Sequence, residues 1–66
     1  MNMIRIKTSK VFNRMDALML TTDEMAAAIG VSTKTMSRIL TQGTCFPTIL
    51  GKLAMVLGIE TWELVA

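Results

Sequence analysis

The spacing of apolar and polar positions divides the chain into one short extended segment and four helical ones. At residues 3–7, MIRIK, apolar and basic side chains alternate. Ile4 and Ile6 then share one side of a strand, and Arg5 and Lys7 the other. From Ser9, a candidate cap, the spacing becomes helical over residues 10–20. Val11, Phe12, Met15, Leu18 and Met19 form the inward stripe there, and Lys10, Asn13 and Arg14 stay outside. Thr21 and Glu24 make an S/T-x-x-E capping box that opens a second helix. Its buried stripe is Met25, Ala26 and Ile29, and Gly30 ends it.

Ser32 caps a third helix over residues 33–41, with Met36, Ile39 and Leu40 inward and Thr33, Lys34, Ser37 and Arg38 outward. After the loop TCFPT, Pro47 bars backward extension and Thr48 caps a fourth helix over residues 49–57. Only Gly51 and Lys52 interrupt its apolar character, so this helix is expected to be covered on more than one side. Gly58 stops it, and residues 61–65 make a last turn with Trp62, Leu64 and Val65 available for packing. Residues 1–8 read as a basic N-terminal arm, or as a strand pairing with another chain, and residues 9–66 as the folded domain.

Residues 21–43 therefore describe two short helices joined by a tight glycine turn, the layout of a helix-turn-helix. Such a unit places its second helix in the major groove of DNA. The chemistry of the outward residues fits that task. Arg38 is a cationic fork able to bond guanine O6 and N7 together, and Lys34 is a point charge for a base or a phosphate. Thr33 and Ser37 are short enough to let the helix approach base edges, and the Thr methyl can touch a thymine methyl. Lys10 and Arg14 would add backbone contacts if the first helix lies beside the duplex. Asp23 and Glu24 oppose phosphate, although capping turns Glu24 back toward the helix end.

Composition narrows the partners. With 66 residues the chain is one domain, and a chain so short is marginal in stability alone. One cysteine and no signal peptide lead to an expected reducing, cytoplasmic setting. The net charge is +2, and six of the seven cations precede residue 39, so one end is suited to phosphate and the other to protein. The hydrophobic fraction of 52% is high for so small a domain, yet no apolar run approaches the ~20 residues of a membrane span. The excess is read as interface, carried by Ile49, Leu50, Met55, Val56, Trp62 and Val65. There is no histidine, no metal set and no Gly-rich phosphate loop, so the chain is not expected to be an enzyme. No cofactor, metal, small-molecule ligand or membrane partner is expected.

From Thr21 onward the chain resembles the Cro/CI (XRE) family of helix-turn-helix repressors. The resemblance is carried by Met25–Ala26, Gly30–Val31–Ser32, the run MSRI at 36–39, Leu53–Ala54 and the run LGI at 57–59. It implies an all-α, four- to five-helix, lambda-repressor-like domain acting as a homodimer on a double-stranded operator, in the manner of a small phage switch. It also implies that Thr33, Lys34, Ser37 and Arg38 face bases and that Thr22 approaches a phosphate. The rival expectation is a protein-binding modulator or antirepressor that pairs with a larger phage repressor. The weak net charge, Asp23 and Glu24, and the apolar excess favour that alternative.

Overall fold

The computed structural model describes residues 2–66, so residue 1 of the expected arm lies outside it. Two short strands and four helices follow in the order β1 (Ile4–Arg5), α1 (Thr8–Ala17), α2 (Thr22–Ile29), α3 (Thr33–Gln42), β2 (Thr44–Cys45) and α4 (Pro47–Leu57). A 3-10 turn at Thr61–Glu63 follows α4. The result is a compact, mostly helical domain with one short antiparallel pairing.

The helix ends are set by local chemistry. Thr21 Oγ1 accepts from the Glu24 N–H at 3.1 Å, and Glu24 Oε1 accepts from the Thr21 N–H at 2.9 Å, which completes the expected capping box. Ser32 Oγ accepts from the Thr35 N–H at 3.1 Å and so opens α3. At the C-terminus of α2, Gly30 takes the left-handed conformation, with φ +78°. Gly30 N–H reaches Ala27 O, and Val31 N–H reaches Ala26 O, which satisfies two orphan carbonyls.

Three boundaries differ from the sequence reading. The first helix starts at Thr8 with Lys7 at its cap position, so Ser9 lies inside the helix and caps nothing. It ends at Ala17, because Met19 adopts φ +58° and the Met19 and Leu20 N–H groups turn back to Asp16 O and Met15 O. Of the predicted stripe Val11 and Met15 are buried, as expected, while Phe12, Leu18 and Met19 are exposed. The fourth helix begins at Pro47 and not at residue 49, with Phe46 at its cap position. Proline suits the first helical position, since its missing N–H would have had no intrahelical partner. Thr48 is therefore a helical residue and not a cap.

The N-terminal segment is built into the fold. β1 pairs antiparallel with β2, Ile4 opposite Cys45 and Arg5 opposite Thr44. On its other side Ile6 bridges to Val65, with Lys7 N–H to Leu64 O at 2.7 Å and Ala66 N–H to Arg5 O at 2.9 Å. The partners of this strand belong to its own chain. The alternation nevertheless reads as expected: Ile6 is buried, Ile4 packs partly against the core, and Arg5 and Lys7 are exposed.

The core is assembled from one face of each helix. Met25, Ala26 and Ile29 of α2 pack with Met36, Ile39 and Leu40 of α3 and with Leu50, Leu53, Ala54 and Leu57 of α4. Val11 and Met15 of α1, Cys45 and Leu64 close it. Ala26 gives α2 a small surface where it meets its neighbours, and α2 has its most extensive packing with α3, then with α4. Among the described residues no polar or charged side chain is buried, so the interior carries no desolvation cost from a charge. The Cα radius of gyration, 10.4 Å, is close to the ~11 Å expected of a folded chain this long. No helix among the described residues is long and apolar enough to cross a membrane.

Candidate functional site

The outward face of α3 gathers the sequence-derived candidates. With Met36, Ile39 and Leu40 anchored in the core, helical geometry turns Thr33, Lys34, Ser37 and Arg38 to solvent, and all four are exposed. Lys34 and Arg38 stand one turn apart. Neither enters an ion pair or a side-chain hydrogen bond among the described residues, so both cations are free for a ligand. A solvent-open concavity of about 330 Å³ is lined by Lys34, Thr35 and Arg38. Thr35 was not among the sequence candidates. The signal that could have found it is the Ser-x-x-Thr spacing from Ser32, which brings the two hydroxyls within 3.0 Å.

Thr22, half-buried, lies in the first turn of α2. The capping box consumes the N–H groups of Thr21 and Glu24, which leaves those of Thr22 and Asp23 open at the helix end. Glu24 is turned back into the box, as its spacing suggested, and Asp23 is exposed.

Lys10 and Arg14 have other occupations. Arg14 donates from Nε and Nη2 to the Leu57 carbonyl, at 3.1 and 2.9 Å. Lys10 Nζ lies 3.8 Å from a carboxylate oxygen of Glu63. Arg14 thus faces the C-terminal end of α4, whereas Lys10 stays 40% exposed beside the turn that follows. Nothing in the sequence near Arg14 announces this, since its acceptor is 43 residues away.

Of the six apolar interface candidates, Leu50 is a core residue and unavailable to a partner. Ile49 and Val56 pack partly against the core. Met55 and Trp62 are open, at 82% and 72% exposure, and Val65 is exposed more modestly. Met19, at 87%, is a further open apolar residue that the sequence had placed inside. Cys45 is buried, and burial pushes its thiol pKa up, which makes it a poor nucleophile at neutral pH.

No protein-family model matches the chain, and no curated protein matches it. A solved structure described as "Native PhpD with Cadmium Atoms" superposes on 96% of the chain with a TM-score of 0.78 and 27% sequence identity. The chain spans 14% of the length of that protein, so its fold recurs as one stretch of a much longer chain. The cadmium belongs to that protein. Among the described residues here, no group of three or more His, Cys, Asp or Glu side chains is placed to hold a metal ion.

Proposed function

We propose that the protein is a sequence-specific DNA-binding regulator of the Cro type, a lambda-repressor-like helix-turn-helix domain that sets α3 into the major groove of an operator. The observation that carries the reading is the outward face of α3, where two unpaired cations and two short hydroxyl residues share one exposed surface. In the groove, Arg38 and Lys34 supply donors to base acceptors, and Thr33 and Ser37 allow close approach. The open N–H groups of Thr22 and Asp23 meet a phosphate at the groove edge. Arg14 drops out of this interface because both of its bonds go to the Leu57 carbonyl, and Lys10, half-exposed in a loose surface ion pair, keeps a charge for the phosphate backbone. The regulator works as a homodimer, with two copies of α3 about 34 Å apart in successive grooves. Met55 and Trp62, open and apolar, are the residues for joining the copies.

A second reading draws on the same exposed apolar residues. With Met19, Met55 and Trp62 all open, the chain offers surface to a larger repressor whose DNA binding it would modulate. The two readings separate in an anisotropy titration of purified protein against duplex DNA. The regulator binds alone, and the Lys34→Ala/Arg38→Ala double variant loses binding. A modulator binds no duplex in the absence of its partner, and that result would overturn the first reading.

A further inference from the structure

We propose that Arg5 and Thr44, a cross-strand pair at the C-terminal end of α3, form a binding site for a phosphodiester of the DNA backbone. The inference rests on the DNA-binding reading and adds to it a site outside the helix-turn-helix.

The register of the short sheet makes the pair. Ile4 lies opposite Cys45 and Arg5 opposite Thr44. The same register sets Ile6 opposite Gly43, and the Ile6 N–H donates to the Gly43 carbonyl at 2.9 Å. Bonded and non-bonded pairs alternate along an antiparallel ladder. Arg5 and Thr44 therefore take the narrow, non-bonded position, where opposing side chains stand closest. Ile4, Ile6 and Cys45 use the inner face of the sheet, which leaves Arg5 and Thr44 the outer one.

Neither side chain is occupied. Among the described residues Arg5 enters no ion pair and no side-chain hydrogen bond, and the Thr44 hydroxyl makes none. The backbone of Arg5 is fixed on both sides, by β2 on one and by the Ala66 N–H to the Arg5 carbonyl at 2.9 Å on the other. Binding then has only the side chains to order. A guanidinium fork beside a hydroxyl supplies the directed donors that phosphate oxygens accept.

The position of the pair names the source of the phosphate. One residue, Gly43, separates Thr44 from the end of α3. The exposed side of α3 runs through Lys34, Ser37, Arg38 and Thr41, at helical spacing, toward this end. Residues 25–59 contain no Asp or Glu, so no carboxylate on α3, β2 or α4 opposes an anion there. α3 is about 15 Å long and the major groove about 12 Å wide, so a helix set in the groove brings its end beside a wall of phosphates.

The test is a salt titration of binding to a duplex that the wild type selects from a randomised pool. Wild type, Arg5→Gln, Arg5→Lys and Thr44→Val are compared, each checked for folding by circular dichroism. Arg5→Gln should flatten the slope of log affinity against log salt by about 0.9 for each Arg5 engaged and leave the selected motif unchanged. Arg5→Lys, which keeps the charge, should keep the slope. Thr44→Val should weaken binding about fivefold, the worth of one hydrogen bond. Methylphosphonates placed one at a time should reveal a phosphate whose neutralisation weakens the wild type about tenfold and Arg5→Gln hardly at all. An unchanged salt slope in Arg5→Gln overturns the inference. So does a flattened slope with a methylphosphonate profile identical to the wild type's, which would make Arg5 a general attractant with no phosphate of its own. Full affinity in Thr44→Val overturns the pairing of the two residues in one site. A wild type that binds no duplex defeats the DNA-binding reading as well, and is distinct from a bound duplex indifferent to Arg5.

Discussion

Arg14 and Leu57 join the ends of two helices through one guanidinium. The Leu57 carbonyl is among the last of α4, beyond the reach of the intrahelical ladder, and Arg14 donates to it twice. Arg14 also stands in the last turn of α1, so its charge sits favourably at both C-terminal ends. Charge-assisted bonds to a half-buried carbonyl contribute about 1.5–2 kcal/mol. Arg14→Met should therefore lower the melting temperature by roughly 6–16 °C. Arg14→Lys, which keeps the charge and loses the fork, should recover part of this. Thermal melts check both, and DNA affinity measured well below the melting temperature should stay at the wild-type value.

Met19 is held at φ +58°, a conformation that costs an L-residue about 1–2 kcal/mol, and its side chain at 87% exposure packs against little. Met19→Gly should stabilise the fold by about 1 kcal/mol. Gly30 is the complement. A Cβ there meets no atom within 4 Å, so Gly30→Ala suffers only the left-handed backbone and should cost about 1–2 kcal/mol, with Gly30→Asn milder. Urea midpoints at constant m-value would read both effects.

The opposite end of α2 is governed by Thr21. Thr21→Ala removes the acceptor for the Glu24 N–H and should cost about 1 kcal/mol. Since α2 spans roughly 12 Å, its two ends share no partners, and the Thr21→Ala and Gly30→Ala losses should add within about 0.5 kcal/mol. A large coupling energy in the double-mutant cycle would contradict independent caps.

Cys45 supplies a pH dependence whose sign is fixed by burial. Its thiol pKa is raised in the folded chain, so the folded state keeps a proton that the unfolded state releases. Below the unfolded thiol's pKa of about 8.5 both states are protonated and the group has no effect. As pH rises above that value, stability is lost until the folded thiol titrates as well. Cys45→Ala should flatten this alkaline decline relative to wild type when unfolding is followed from pH 7 to 10.

Legibility in the sequence followed range. The capping box at Thr21 and Glu24, the Ser32 cap and the stop at Gly30 are decided within a few residues, and each stands as read. The α3 stripe was legible for the same reason, since ten residues at helical period specify both of its faces. The first helix was misread at its end because Leu18 and Met19 continue the apolar period while the backbone has already turned at Met19. β2 and the closure of β1 onto it could not be read locally, because Ile4 and Cys45 are brought together only by the packing of three intervening helices. Leu50 was assigned to an interface because α4 is apolar nearly all round, and periodicity cannot then say which side is covered. On α3 the outward set Thr33, Lys34, Ser37 and Arg38 was legible from helical spacing, whereas the occupation of Arg14 was not, because its acceptor at Leu57 lies 43 residues away.

The apolar surface yields its own test. If Met55 and Trp62 join two copies, Met55→Lys should shift the protein from dimer to monomer in sedimentation equilibrium and leave its circular dichroism unchanged. A wild-type chain that sediments as a monomer at micromolar concentration, bound or free, would contradict the homodimer.

The most direct measurement is a gel shift of the purified protein, alone, against the DNA flanking its own gene at two salt concentrations. The account predicts a sequence-selective shift that weakens steeply with salt, as release of counterions from phosphate requires, and that Arg38→Ala abolishes. A folded protein that shifts no fragment at micromolar concentration would contradict it.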